Sequence, residues 1–177
     1  MKKTASIGCL ILTFFFLYFL QSNFFTWFNI AGIMPNIYII YILFIGLFVK
    51  KKVGLIFGLA CGLYIDVLLG SSVGISALGL GIIGIIGEYL SKNFSKDSRF
   101  IIVLMVAITT IIYEALSYGL LIARTSTAPE ILSFIKILFV EVVFNCLITI
   151  IIYPLIKKAG YYLENIFDDK IILTRYF

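Results

Sequence analysis

Long apolar runs separated by short polar breaks organise this chain. Six apolar segments emerge, at residues 4–20, 36–49, 53–69, 73–90, 100–123 and 132–156. At ~20 residues per crossing, they predict an all-α integral membrane protein of six transmembrane helices joined by short loops. The second segment is short for a full crossing, so its helix is expected to begin earlier, near Ile30. Pro35-Asn36 would then lie close to its start, where proline is tolerated. Lys2 and Lys3 ahead of the first run resemble the start of a signal peptide. Gln21-Ser22-Asn23 offers no small-x-small cleavage pattern, however, so residues 4–20 are expected to be a retained helix.

Glycines punctuate the third segment at every fourth position: Gly54, Gly58, Gly62 and Gly70, with Asp66 on the rung between the last two. In lipid, burying apolar surface against a neighbour supplies no driving force, and small residues that let backbones approach become the packing device. The fourth segment carries a second small stripe, Gly74, Ala77, Gly81 and Gly84 followed by Glu88, at spacings that share one helical face. Gly54, Gly58, Gly62, Gly74, Ala77, Gly81 and Gly84 are therefore the expected helix-packing residues. A tight turn at Gly70-Ser71-Ser72 would make segments three and four antiparallel neighbours. Asp66 stands out, because an acid in such a segment requires a partner, a proton or a cavity.

Composition fits this reading. The chain has 177 residues, 62% hydrophobic and 13% charged, where a soluble domain is roughly half apolar and a quarter charged. No room remains for a large soluble domain. The formal charge of +5 would be compatible with nucleic acid, but the lysines sit in short clusters between apolar runs, so the lipid bilayer is the expected partner and nucleic acid is not. With six crossings, all of the 14 lysines and arginines except Arg124 and Lys136 fall on one side. By the positive-inside bias, both termini are then cytoplasmic. Phe24, Phe25, Trp27 and Phe28 suit the opposite membrane–water interface. The division expected is a transmembrane domain over 1–158 and a cytoplasmic amphipathic tail over 159–177.

Candidate chemistry is sparse. There is no histidine, and Cys9, Cys61 and Cys146 lie apart in apolar runs without a paired motif, so no metal, cofactor or disulfide framework is expected. The glycine steps lack the strand-to-helix setting of a phosphate loop, and Ser71, Ser72 and Ser76 lack a nucleophile context. No enzyme constellation is present. What remains is polar residues at membrane depth: Asp66; Thr110, Glu114 and Ser117 in segment five; and Glu141, Asn145, Thr149 and Tyr153 at steps of four in segment six. Residues this deep are expected to face the bundle interior. At least one of Asp66, Glu114 and Glu141 is expected to be buried and hydrogen-bonded or protonated, which makes these acids and Asn145 the candidate buried polar or partner site. Lys136 and Glu141, five residues apart, are about 140° around the helix and should not pair with each other. Glu88 is expected at the surface, reaching headgroups or Lys92. Three roles stay open for the acids: satisfied bundle polars, a substrate or ion site, or partner binding.

Several local patterns coincide in residues 20–90. Leu20-Gln21-Ser22 is followed by an aromatic stretch, then Ile33-Met34-Pro35-Asn36 before an apolar helix. Next comes Gly54-x3-Gly58-x3-Gly62-Leu-x2-Asp66-x3-Gly70-Ser-Ser-Val-Gly74. Together they resemble the rod shape-determining protein MreD family of bacterial inner-membrane proteins. Gln21, Pro35, Gly58, Gly62, Asp66 and Gly74 carry the likeness, and beyond residue 100 only the apolar pattern remains. The resemblance implies a non-enzymatic component of the cell-elongation machinery in the bacterial cytoplasmic membrane. Its implied partners are a MreC-like bitopic protein, actin-like MreB and peptidoglycan-synthesis enzymes. It also implies a fold similar to the substrate-binding subunits of energy-coupling-factor transporters. Two functions follow: a membrane scaffold of the elongation complex, or a substrate-binding subunit of a vitamin-type transporter.

Overall fold

The apolar segments form six helices: α1 (Lys2–Phe19), α2 (Ile37–Phe48), α3 (Val53–Leu69), α4 (Ile75–Asn93), α5 (Arg99–Thr125) and α6 (Ile131–Phe167). The computed structural model describes residues 2–30, 32–49, 52–69, 73–126 and 128–167, and no strand occurs among them. The Gly70-Ser71-Ser72 turn and residues 168–177 of the expected tail lie outside the described residues.

Helix lengths divide the six into two groups. α1 with the π-helical turn that follows it (Leu20–Phe24), α4, α5 and α6 are each long and apolar enough to cross a membrane. α2 has 12 residues and α3 has 17, or about 18 and 25 Å at 1.5 Å per residue, against a hydrocarbon core of ~30 Å. The expected six full spans are therefore six helices, four of them of spanning length.

α2 starts at Ile37 rather than near Ile30. The preceding chain makes its own local hydrogen bonds: Trp27 N–H to Phe24 O, Phe28 N–H to Phe25 O, and reciprocal bonds between Ile30 and Ile33 around Gly32 at φ +81°. Pro35 then disfavours helix at the residue before it. From Ile37 to Phe48 every residue except Tyr41 is buried, as befits a helix apolar all round. α2 packs on α4, α3, α6 and α5, and Tyr41 donates its hydroxyl proton to Leu10 O of α1 at 2.6 Å. The core thus surrounds α2, and Ile39, Leu43 and Leu47 belong to one buried cluster with Leu80, Ile83, Ile102 and Val106.

α3 and α4 run antiparallel with their backbones nearly touching. A Cβ on Gly62 would stand 2.5 Å from Ala77 Cα; one on Gly58 would fall onto the Leu80 carbonyl; one on Gly84 would fall onto the Gly54 carbonyl. The nearest atoms to a Cβ on Gly81 belong to the Leu59 and Leu55 side chains. Gly74 corrects the expected packing stripe: nothing lies within 4 Å of its Cβ position, and its φ is +104°. It serves as the left-handed residue that opens α4, not as a packing contact. Two glycines that the stripe left out complete the crossing. Gly46 of α2 stands against Gly84 and Gly87, and Gly54 against Gly46, so glycines of three helices meet at one crossing.

α6 extends to Phe167 as one helix of 37 residues that includes Pro154. The expected boundary at residue 158 falls inside it. Gly160 lies against the Phe48 ring, Phe167 is buried, and Lys96 of the α4–α5 connection pairs with Glu164 at 2.8 Å. Lys157 pairs with Asp97 at 2.9 Å, and Tyr161 donates to the same carboxylate. These contacts hold the Asp97 carboxyl below the usual carboxylate range, the Lys157 hydrogen bond being the largest cause. Lys2 and Lys3 share a surface pocket with Tyr162 and Asn165, and Glu88 joins the Lys52 backbone to Lys92. The first described residues, the end of α6 and most of the described lysines therefore gather at one end of the bundle.

Candidate functional site

Polar side chains inside the bundle form two groups, each built on the start of a helix. The first N–H groups of any helix lack intrahelical partners, and inside an apolar bundle they require side-chain acceptors.

The first group opens α4. Asp66, only 3% exposed, reaches from the last turn of α3. Its Oδ2 accepts from Gly74 N (2.8 Å) and Ala77 N (3.2 Å), and its Oδ1 accepts from Ser76 N (3.1 Å). A carboxylate at a helix N-terminus also complements the helix dipole. Asp66 is thus buried, hydrogen-bonded, and shared between the two glycine-packed helices. At the opposite end of that hairpin Glu88 plays a smaller counterpart, accepting from Lys52 N at 3.2 Å and from Lys92 Nζ at 3.1 Å.

The second group opens α2. Asn36 N–H donates to Asn145 Oδ1 of α6 at 2.9 Å, and Ile37 N–H donates to Gln21 Oε1 at 3.3 Å. Gln21 Nε2 in turn donates to Pro35 O at 2.7 Å. Asn145, fully buried, donates through Nδ2 to Thr110 Oγ1 of α5 at 3.1 Å, and Thr110 donates to Val106 O. Asn145 lies roughly 21 Å along α6 from Ile131, so α2 begins deep in the bundle. Non-helical backbone is tolerated at such depth only where protein encloses it. Four elements (the π turn after α1, α2, α5 and α6) are tied together at this point.

The remaining acids lie next to these groups. Glu141, 6% exposed, and the half-buried Glu114 interact directly across the α5–α6 interface, and Glu141 Oε1 has no hydrogen-bond partner. Glu114 lines an open cleft of about 660 Å³ at the end away from most of the described lysines, together with Asp66, Ser76 and Glu130. The expected stripe of Glu141, Asn145, Thr149 and Tyr153 is the buried face of α6. Asp66 and Glu114 meet at the cleft, Asn145 serves the start of α2, and Lys136 is exposed.

Residue patterns alone did not reveal what Gln21, Asn36, Gly46 or Gly87 contribute. Asn36 directly before an apolar run was the available cue for a helix start. Among the described residues no group of three or more potential metal ligands gathers.

A family model described as rod shape-determining protein MreD matches residues 2–159. No curated protein and no solved structure matches the chain.

Proposed function

This chain belongs to the rod shape-determining protein MreD family, and we propose on that premise that it is a non-enzymatic scaffold of the cell-elongation complex. It spans the bacterial cytoplasmic membrane several times with both termini inside. It holds a MreC-like bitopic protein, actin-like MreB and the peptidoglycan-synthesis enzymes in one assembly. The observation that carries this reading is the family match over nearly the whole chain, which brings a role in rod shape determination.

The geometry supports a framework rather than a moving machine. α2, α3 and α4 meet backbone to backbone, and side-chain caps tie the buried helix starts to their neighbours. The outward faces keep large apolar side chains, such as Leu12 and Phe16 of α1 and Phe139 and Ile151 of α6, suited to lipid or to other helices. The lysine-rich end suits the cytoplasmic side, where basic residues are retained.

Affinity isolation of the tagged full chain from gently crosslinked cells tests the proposal. A MreC-like protein, MreB and wall-synthesis enzymes are expected to co-isolate, and depletion of the chain is expected to turn rods into spheres. Recovery of the chain alone with a vitamin-like molecule, from cells that keep their shape when it is depleted, would favour the transporter subunit instead.

A further inference from the structure

The end of the bundle that gathers the lysines treats them unequally. Lys92 pairs with Glu88, Lys96 with Glu164 and Lys157 with Asp97, so these charges are answered within the chain. Between the first turn of α1 and the last turns of α6 lies a pocket of different character. It is open, holds about 530 Å³, and is lined by Lys2, Lys3, Tyr162, Asn165 and Ile166. No acid lines it among the described residues. Its ammonium, hydroxyl and amide groups can all donate hydrogen bonds. A concave site that offers donors and positive charge suits an anion.

The position of the pocket narrows the anion. α1 and its π turn, Lys2–Phe24, hold 23 residues, or about 35 Å, which is one crossing of a hydrocarbon core of ~30 Å. The first turn of α1 therefore stands at the level of lipid headgroups. Two apolar rows lead away from the pocket toward the membrane interior. On α1, Ile7 and Ile11 continue from Lys3 in steps of four; on α6, Leu155 and Ile151 continue from Tyr162 through Lys158 in steps of three and four. Residues so spaced share one helix face, and all four apolar side chains are exposed. A soluble anion would leave both rows unused, whereas an anion carrying an apolar chain uses the pocket and the rows together.

We propose that the α1–α6 pocket binds one anionic phospholipid, with its phosphate held by Lys2 beside Lys3, its polar headgroup met by Tyr162 and Asn165, and an acyl chain laid along the exposed rows. Basic pockets between membrane helices recognise such headgroups. The lipid would then join the first helix of the chain to the last. This site goes beyond the scaffold reading, which stands or falls separately on co-isolation and cell shape.

The purified full chain in mild detergent is titrated with phosphatidylglycerol and with phosphatidylcholine of identical acyl chains, and bound lipid is read by native mass spectrometry. One phosphatidylglycerol is expected to bind about fivefold more tightly than phosphatidylcholine, the share of a single lysine near an anionic headgroup. Lys2→Gln is expected to remove most of that preference. Lys92→Gln, the same loss of charge at the same end of the bundle, is expected to keep it. Asn165→Ala changes no charge and is expected to weaken phosphatidylglycerol about fivefold, the worth of one hydrogen bond, with circular dichroism reporting the fold of all three variants. Equal affinity for the two lipids would overturn the proposal. Equal losses in Lys2→Gln and Lys92→Gln, or an unaffected Asn165→Ala variant, would also overturn it, leaving only diffuse surface charge. Full displacement of the lipid by glycerol phosphate at a comparable concentration would assign the pocket to a soluble anion and overturn the lipid site.

Discussion

Gly58→Leu is expected to leave almost no folded protein in the membrane. The Cβ position of Gly58 coincides with the backbone of α4 at Leu80 and Gly81. No rotamer change can relieve that overlap, because the obstacle is a carbonyl and not the end of a flexible side chain. α3 and α4 would have to separate along much of their length, and α2 would lose its glycine contacts at Gly46 in the process. Overpacking a core against adaptable side chains costs about 1–3 kcal/mol; against backbone, a loss of at least about 3 kcal/mol is expected. Gly62→Leu should behave alike, since its Cβ would stand 2.5 Å from Ala77 Cα. Gly8→Leu and Gly119→Leu are the controls, because nothing lies within 4 Å of either position. Size-exclusion chromatography of fluorescently tagged variants in mild detergent reads the outcome. Both ladder variants should be lost from the monodisperse peak, and both controls should match the parent.

Asp66→Ala is expected to lower the thermal midpoint of the purified protein by roughly 5 °C or more, corresponding to about 2–4 kcal/mol. Removal of the carboxylate strips three N–H groups at the start of α4 of their acceptors, in a site only 3% exposed. Water replaces few of those bonds, so most of the penalty for unsatisfied buried donors remains. Asp66→Asn keeps one acceptor oxygen and should fall between the parent and Asp66→Ala. Glu88→Ala makes the contrast. Its carboxylate is partly exposed and its lysine partner largely so, and exposed pairs contribute less than about 1 kcal/mol. Equal midpoints for Asp66→Ala and Glu88→Ala would count against a special role for Asp66.

Much of this arrangement was legible from the chain because it is local. Small residues at steps of four define a helix face whatever the fold, so the facing pair α3 and α4 followed from Gly54, Gly58, Gly62, Ala77 and Gly84. The same logic placed Glu141, Asn145, Thr149 and Tyr153 on the buried face of α6. Features that depend on a third element were hidden. Gly46 is a single small residue in a run of large ones, and it acquires meaning only where α2 crosses Gly84 and Gly87. Gly74 fitted the stripe by spacing, yet it sits one residue ahead of α4, where backbone conformation decides its role. The start of α2 was misplaced because hydropathy continues back to Ile30, while the hydrogen bonds that fix Ile37 come from Gln21 and Asn145, distant in sequence. The boundary at residue 158 followed the rise in charge. The helix nevertheless continues, because Gly160 and Phe167 turn inward while Lys157 and Glu164 pair with the α4–α5 connection.

Whether the glycine ladder packs inside the chain or against a partner is decided most directly by a disulfide. A Cβ on Gly81 would lie 3.1 Å from Leu59 Cγ, so cysteines at positions 59 and 81 fall within reach of the ~3.5–4.5 Å Cβ separation of a disulfide. Leu59→Cys and Gly81→Cys are combined in a chain whose Cys9, Cys61 and Cys146 are replaced by alanine, and native membranes are treated with a mild oxidant. Internal packing predicts a disulfide within one chain, seen as a faster-migrating monomer that reverts on reduction. Covalent dimers or adducts to another protein, with no internal crosslink, would contradict it and assign the ladder to a partner.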